Sequence, residues 1–307
     1  MFKKKTIGIV GVSGIGKIYL RELSILGIKK IYILGKSYKS SLKNKLTLQS
    51  VSNLEIIPCK SINDFKNKKL DIICICSPTN THLNYINKFL KTKSKLIVEK
   101  PIFDLKNLSD KEISQITEKI FKKYPKKIIT NLPLKEYANS LKTKFKIKKK
   151  EIRKINFKYH TSGKNFYKDI AIDLLPHSLS FLLFFFMIKK DSINIKSKIV
   201  TKNSWKSSFV FNKINCTFDF NENINRINSI LKISINDKNY LRVQKNNKSR
   251  LTKNHQYIKS GILYKKINNS MSLSIKKNLL KLTENKISKK DINFQKSLIS
   301  LMSFLIK

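Results

Sequence analysis

Apolar positions along the chain follow two rhythms. In the first 130 residues, the runs 6–10, 30–34, 54–58, 70–76 and 95–98 are nearly continuous in apolar residues, with helical spacing between them at about 16–26 and 81–90. A continuous apolar run suits a parallel strand covered on both faces, and strands alternating with helices make βαβ units around a doubly wound sheet. Beyond residue 130 the rhythm becomes alternating. Residues 152–161 read as a half-buried strand, 168–188 as a helix, and 193–200, 207–220 and 229–243 as β-branched and aromatic runs without helical spacing. These predict an antiparallel sheet, closed by a helix over 289–306. Residues 244–275, rich in lysine and asparagine, carry no assignable element and read as loops. The expected organisation is a nucleotide-binding domain over 1–130 and a substrate domain over 131–307.

Between the first strand and the first helix lies Gly8-Ile-Val-Gly11-Val-Ser13-Gly14-Ile15-Gly16. A dinucleotide fingerprint uses one glycine to turn the chain, a second to admit the pyrophosphate, and a third to pack helix on strand. Gly11 and Gly16 take the first and third places. Ser13 stands at the second, with Gly14 directly after it. The following helix start offers free amides and a positive dipole end to phosphate, so Gly11, Ser13, Gly14, Ile15 and Gly16 are candidate cofactor contacts. This makes the first domain a Rossmann domain, in an α/β chain whose C-terminal α+β domain is mostly antiparallel sheet. NAD sites commonly carry a carboxylate after the second strand, to bind the ribose hydroxyls. Here that position reads Gly35-Lys36-Ser37. Lys36 and Ser37 suit a 2′-phosphate, which favours NADP slightly over NAD.

Composition changes the picture little. The net charge of +46 comes from 60 lysines and five arginines spread along the whole chain. Base reading relies on bidentate arginine, and RNA platforms on aromatic stacks. Neither pattern is present, so no specific nucleic-acid partner is expected. Cys59, Cys74, Cys76 and Cys216 form no C-x-x-C pair and no zinc spacing, which predicts reduced, buried thiols, a cytoplasmic setting and no metal site. The most apolar stretch, 174–188, contains His177 and falls short of the ~20 residues of a membrane span.

Three further segments carry chemistry: Cys76-Ser77-Pro78-Thr79-Asn80-Thr-His82, Glu99-Lys100-Pro101, and Asp173-Leu-Leu-Pro-His177. With the glycine turn they resemble, in order and separation, the motifs of the Gfo/Idh/MocA oxidoreductases, the family of glucose-fructose oxidoreductase and inositol dehydrogenase. The resemblance spans roughly residues 6–188. It implies that Ser77, Pro78, Thr79, Asn80, His82, Glu99 and Lys100 lie at the cofactor, and that Lys100, Asp173 and His177 serve catalysis. It also implies a sugar-like substrate, a homo-oligomer, and a role in carbohydrate or surface-glycan synthesis. The sequence departs from the family at Leu175 and Pro176, where a glycine and a small residue are common, and at Ser180, where many members have an aspartate. Asn131-Leu-Pro resembles the family's N-R-R segment without its arginines.

Oxidising an alcohol needs a base for the hydroxyl proton while hydride leaves the same carbon. Asp173 and His177 are four residues apart, on one face of a helix. Histidine titrates near neutrality and suits the base. Asp173 would orient it or bind a neighbouring hydroxyl, and Lys100 would steady the developing alkoxide. His160 and His255 have no evident partner and read as structural. Two other readings compete: a non-catalytic dinucleotide-binding or sensor protein, which loss of Lys100 or His177 would favour, and a basic nucleic-acid-associated protein. A short-chain dehydrogenase would need Tyr-x-x-x-Lys. That spacing occurs only at Tyr32 and Lys36, on the second strand.

Overall fold

A computed structural model describes residues 2, 4–49, 54–245 and 255–307. Its elements run β1 Ile7–Val10, α1 Ile15–Ile25, β2 Lys30–Leu34, α2 Tyr38–Gln49, β3 Glu55–Pro58, α3 Ile62–Asn67, β4 Ile72–Ile75, α4 Thr79–Leu90, β5 Lys95–Val98, α5 Asp110–Phe121 and β6 Ile128–Thr130. There follow α6 Pro133–Phe145, β7 Lys154–Thr161, α7 Lys168–Phe185, β8 Ile193–Val200, β9 Ser204–Phe211, β10 Ile214–Glu222, β11 Ile230–Ile235, β12 Lys238–Lys245, β13 His255–Ser260, β14 Leu263–Ile267, α8 Ser270–Thr283 and α9 Lys289–Ile306.

The chain divides into two compact units. The first comprises the described residues up to Asn131 together with Ser274–Gln295, a stretch that the sequence reading placed with the second domain. Its six strands are parallel in the order β3-β2-β1-β4-β5-β6, the doubly wound arrangement expected. β1 and β4 at its centre are buried at every position, which is why their sequences do not alternate.

The second unit holds an eight-stranded sheet in the order β14-β13-β12-β11-β7-β10-β9-β8. All its pairings are antiparallel except β7 with β10, so the sheet is mostly antiparallel, as predicted. Phe157 on its inner face meets Phe181 of α7 and packs edge-on against Phe218 and Phe220, and Trp205 stacks on Phe220. The apolar stretch after His177 is therefore core, with Phe181, Leu182, Phe185 and Phe186 buried. Pro176 lies inside α7.

Three expectations change. The run 207–220 is a hairpin, turned at Asn212 and Lys213, both with positive φ. The run 229–243 likewise splits at Asn236 into β11 and β12. Most of 244–275 is ordered: it supplies the last residues of β12, the β13–β14 hairpin and the first turn of α8, while 246–254 lies outside the described residues. Among the described residues no helix is long and apolar enough to cross a membrane. The four cysteines are free and buried.

Candidate active site

In the first unit, β1 runs into the glycine turn. Gly11 has φ +83°, and a Cβ there would lie 2.6 Å from the Ser77 backbone nitrogen. A Cβ on Gly16 would lie 2.0 Å from the Gly11 carbonyl oxygen. These two glycines let β1, the turn and the loop after β4 close on one another. Gly14 is different. It caps α1 with φ 43° and ψ −107°, a region closed to side chains, and a Cβ there would meet nothing within 4 Å. The helix it opens has no side-chain cap and no acid in its first turn. An uncapped helix start facing open space with exposed Ser13 and Gly14 is a fitting seat for a diphosphate. Ile15 and Gly16 are the first residues of that helix.

The loop after β2 is tied by its own serines. Gly35 N–H donates to Ser41 Oγ (2.8 Å), and Ser40 N–H to Ser37 Oγ (3.2 Å). Lys36 and Ser37 are exposed, and the segment 35–41 contains no carboxylate.

Beyond β4, Ser77 is half-buried, Pro78 precedes α4, and Thr79 and Asn80 form its first turn. The Thr81 hydroxyl reaches Ser77 Oγ and the Pro78 carbonyl, both at 2.7 Å. His82 is only 1 % exposed. Its Nδ1 lies 2.9 Å from the Pro101 carbonyl oxygen and its Nε2 2.8 Å from that of Ser77. Both ring nitrogens are turned onto backbone, so His82 pins the β4 loop to the segment after β5. Burial pushes its pKa down, opposed by the two carbonyls.

Glu99 is buried as well. Its Oε1 accepts from the Tyr19 hydroxyl and from Asn131 Nδ2, each at 2.7 Å. Asn131 Oδ1 in turn accepts from Ser274 Oγ (2.6 Å) and Asn278 Nδ2 (3.3 Å). Burial raises the Glu99 pKa, while Asn131, Tyr19 and the Lys100 charge oppose the rise. Glu99 and His82, both expected at the cofactor, thus bond to protein groups and shape the loops that carry Ser77 and Lys100. Lys100 itself is half-buried and joined to Pro101 by a cis peptide bond.

In the second unit, Asp173 and His177 share one face of α7, both half-buried. The His177 and Tyr159 rings meet edge-on at 5.2 Å, and the Arg242 guanidinium lies 5.5 Å from the Tyr159 ring centre. Glu222, the last residue of β10, is 1 % exposed, and burial, with the charge of Asp173 adding to it, pushes its pKa up to about 7. Glu222 accepts from Asn165 N–H (3.0 Å to Oε2) and Asn165 Nδ2 (3.1 Å to Oε2). Ser180, at the family's aspartate position, is fully buried and donates to the His177 carbonyl at 2.9 Å. His160, read as partnerless, has Asp219 3.4 Å away, and this pairing helps hold the Asp219 pKa down. The His255 side chain lies outside the described residues.

Glu222, Asn165, Tyr19 and Tyr159 were not foreseen. For Glu222 a signal existed. In β10, Ile214, Cys216, Phe218 and Phe220 face inward at every second position, and the same register turns Glu222 inward.

No group of three or more His, Cys, Asp or Glu among the described residues could hold a metal ion. Residues 5–123 match the Gfo/Idh/MocA family model, described as an oxidoreductase family with an NAD-binding Rossmann fold. No curated protein matches the sequence. Among solved structures, a Gfo/Idh/MocA family oxidoreductase from Vibrio cholerae has a TM-score of 0.71 at 12% identity, over 98% of this chain and 97% of that one. The WlbA dehydrogenase from Thermus thermophilus, solved with NAD and UDP-GlcNAcA, has a TM-score of 0.67 at 12% identity, over 99% and 95%. A 3-ketoreductase from Actinomadura kijaniata, solved with NADP and TDP-benzene, has a TM-score of 0.67 at 11% identity, over 97% and 95%. At these identities the likeness establishes the fold.

Proposed function

We propose that this chain, whose Rossmann domain belongs to the Gfo/Idh/MocA oxidoreductases, is an NAD(P)-dependent dehydrogenase or reductase acting on a hydroxyl or keto carbon of a nucleotide-linked sugar. The observation that carries the reading is the open, uncapped helix start at Gly14, which fits a dinucleotide diphosphate. The nicotinamide, when bound, accepts or donates the hydride.

The chain's own residues do the rest. The amides at the start of α1 hold the diphosphate, and Lys36 and Ser37 hold a 2′-phosphate when NADP is the cofactor. In the oxidising direction His177 takes the hydroxyl proton as the carbonyl forms; in the reducing direction it returns it. Asp173, one helical turn away, orients the imidazole. Lys100 steadies the negative charge on the reacting oxygen. Support for a nucleotide-linked sugar comes from the Thermus and Actinomadura enzymes, whose ligands include UDP-GlcNAcA and TDP-benzene.

The test is a turnover assay at the nicotinamide absorbance, with NAD and NADP against a panel of UDP- and TDP-sugars, preceded by a fluorescence titration of each cofactor. Binding of at least one cofactor and turnover of at least one nucleotide-sugar are expected. Failure to bind either cofactor at millimolar concentration overturns the enzyme reading. Binding without turnover of any sugar favours the sensor.

A further inference from the structure

We propose that Arg242 holds an anionic group of the substrate, a carboxylate or a phosphate, beside His177 on the inner face of the eight-stranded sheet. Arginine is rare in this chain, which carries 60 lysines and five arginines. Among the described residues the other arginines have acceptors for their N–H groups. Arg21 Nε donates to Glu22 Oε1 (2.9 Å), Arg153 Nη1 to the Lys150 carbonyl (2.7 Å), and Arg226 Nη2 to Asn221 Oδ1 (2.9 Å). Among the same residues the Arg242 guanidinium has no hydrogen bond and no ion pair, and its contact is the Tyr159 ring.

Its place in the sheet makes that unusual. Side chains alternate across a strand, so Arg242 shares one face of β12 with buried Tyr240. Its ladder partner on β13 is Ile258, while Tyr159 of β7 pairs with Leu231 of β11; Ile258 and Leu231 are fully buried. A charge kept in so apolar a row costs desolvation until an anion pairs with it. Arg242 and Tyr159 are themselves half-buried, so this part of the row is open to a ligand. A ring contact engages the π-system of the guanidinium and leaves its N–H donors free, in the fork that meets a carboxylate or phosphate bidentately. The Tyr159 ring centre is 5.5 Å from the guanidinium and 5.2 Å from the His177 ring centre, so one sugar derivative can reach both.

A second polar group beside β12 also lacks a protein partner. Helix α6 packs on this strand, where the Phe145 and Tyr240 rings meet edge-on at 5.0 Å. Earlier on the same helix the Tyr137 hydroxyl is buried with no hydrogen-bond partner among the described residues. Burial raises its pKa, and the Arg242 charge opposes that rise. Which molecule brings the anion rests on the function proposed above: a sugar derivative whose reacting carbon meets His177 while its charged group meets Arg242. The anion site itself needs no turnover to be observed.

The charge comes from a carboxylate on the sugar or from the diphosphate of its nucleotide. Glucuronate, UDP-glucose and UDP-glucuronate, each titrated into the full-length chain, separate the two. NMR follows the Nε–Hε signals of the arginines, with that of Arg242 identified by its absence in Arg242→Gln. A saturable shift of the Arg242 signal is expected from at least one probe. The Kd of that probe should rise on the order of tenfold to a hundredfold in Arg242→Gln, the worth of hydrogen bonds to a charged group. A response to glucuronate or UDP-glucuronate without one to UDP-glucose assigns the site to a sugar carboxylate; a response to UDP-glucose assigns it to the diphosphate. No shift with any probe, or an unchanged Kd in Arg242→Gln, overturns the proposal. Should Arg242→Gln fail to fold by circular dichroism, Arg242→Lys carries the test, since it keeps the charge and loses the fork. Its Kd is expected to rise severalfold, and an unchanged one overturns the proposal. A chain that binds a probe at Arg242 yet turns over no nucleotide-sugar loses the enzyme reading and keeps the anion site.

Discussion

The Tyr19 hydroxyl donates to the Glu99 carboxylate across 2.7 Å of buried space, linking the helix that follows the glycine turn to the segment that carries Lys100. Both ends are buried, so neither can turn to water instead. Removing the donor in Tyr19→Phe leaves the carboxylate with fewer partners in a dry site, a loss of about 1–3 kcal/mol. Burial already places the Glu99 pKa above its unfolded value, so its contribution to stability is complete below the unfolded pKa and declines as pH rises through the folded one. Tyr19 opposes that decline by favouring the ionised form. The deficit of Tyr19→Phe should therefore be largest at neutral pH and shrink as Glu99 protonates in acid. Urea unfolding of both proteins at pH 5 and pH 8 checks this, and an equal deficit at both would remove Glu99 from the account.

The glycines of the turn make separable predictions. Gly14 faces open space, so Gly14→Val clashes with nothing within 4 Å, but it forces a branched side chain into φ 43° and ψ −107° and fills the seat of the diphosphate. Loss of dinucleotide binding with a folded protein is expected, read by fluorescence titration beside circular dichroism. Gly16→Ala sets its new carbon 2.0 Å from a backbone oxygen and should cost stability as well, on the order of 1–3 kcal/mol or more. If Gly14→Val binds cofactor normally, the diphosphate lies elsewhere.

Cofactor choice turns on the loop after β2. Its serines fix the backbone of 35–41, and Lys36 and Ser37 stand exposed without a carboxylate near them in sequence. Lys36→Ala should weaken NADP more than NAD, by a factor that shrinks at high salt, because a lysine–phosphate contact at the surface is screened. Equal losses for both cofactors would make Lys36 an ordinary surface lysine.

What could be read in advance follows from physics. Lys30–Leu34 and Lys95–Val98 emerged with their ends correct because strands packed between helices are apolar throughout and end where polarity returns. The turns at Asn212-Lys213 and Asn236 went unseen because they reach positive φ without glycine, so two hairpins read as two long strands. Helix α2 was missed for want of an apolar face: its sequence, Tyr-Lys-Ser-Ser-Leu-Lys-Asn-Lys-Leu-Thr-Leu-Gln, is mostly lysine and small polar residues. Helix α5 was also left out of the reading, although Ser109-Asp-Lys-Glu112 at its start is a capping box that the structure forms in full. The glycine turn was legible because local geometry dictates it; the remaining site motifs entered only through the family resemblance. Partners such as Asn131 for Glu99, or Asn165 for Glu222, are 32 and 57 residues distant, and no local pattern encodes those meetings.

The sharpest prediction concerns Lys100 and His177, because each is assigned a different share of one reaction. A lysine that steadies an oxyanion acts chiefly in the transition state, so Lys100→Met should lower turnover on the order of 10²- to 10³-fold. A histidine that moves the proton contributes on the order of 10² to 10⁴, and His177→Asn should show that loss. His177 is half-buried with its ring against that of Tyr159, so Asn can replace it without opening the core. Neither residue belongs to the glycine turn, and dinucleotide affinity should change little in either variant. Stopped-flow measurement of a single turnover, with the cofactor Kd taken from separate titration, distinguishes lost chemistry from lost binding. A double variant should lose less than the product of the two single effects, since residues serving one transition state are not additive. Turnover that survives both substitutions within about tenfold would remove these residues from the mechanism and leave the chain a dinucleotide-binding protein of another kind.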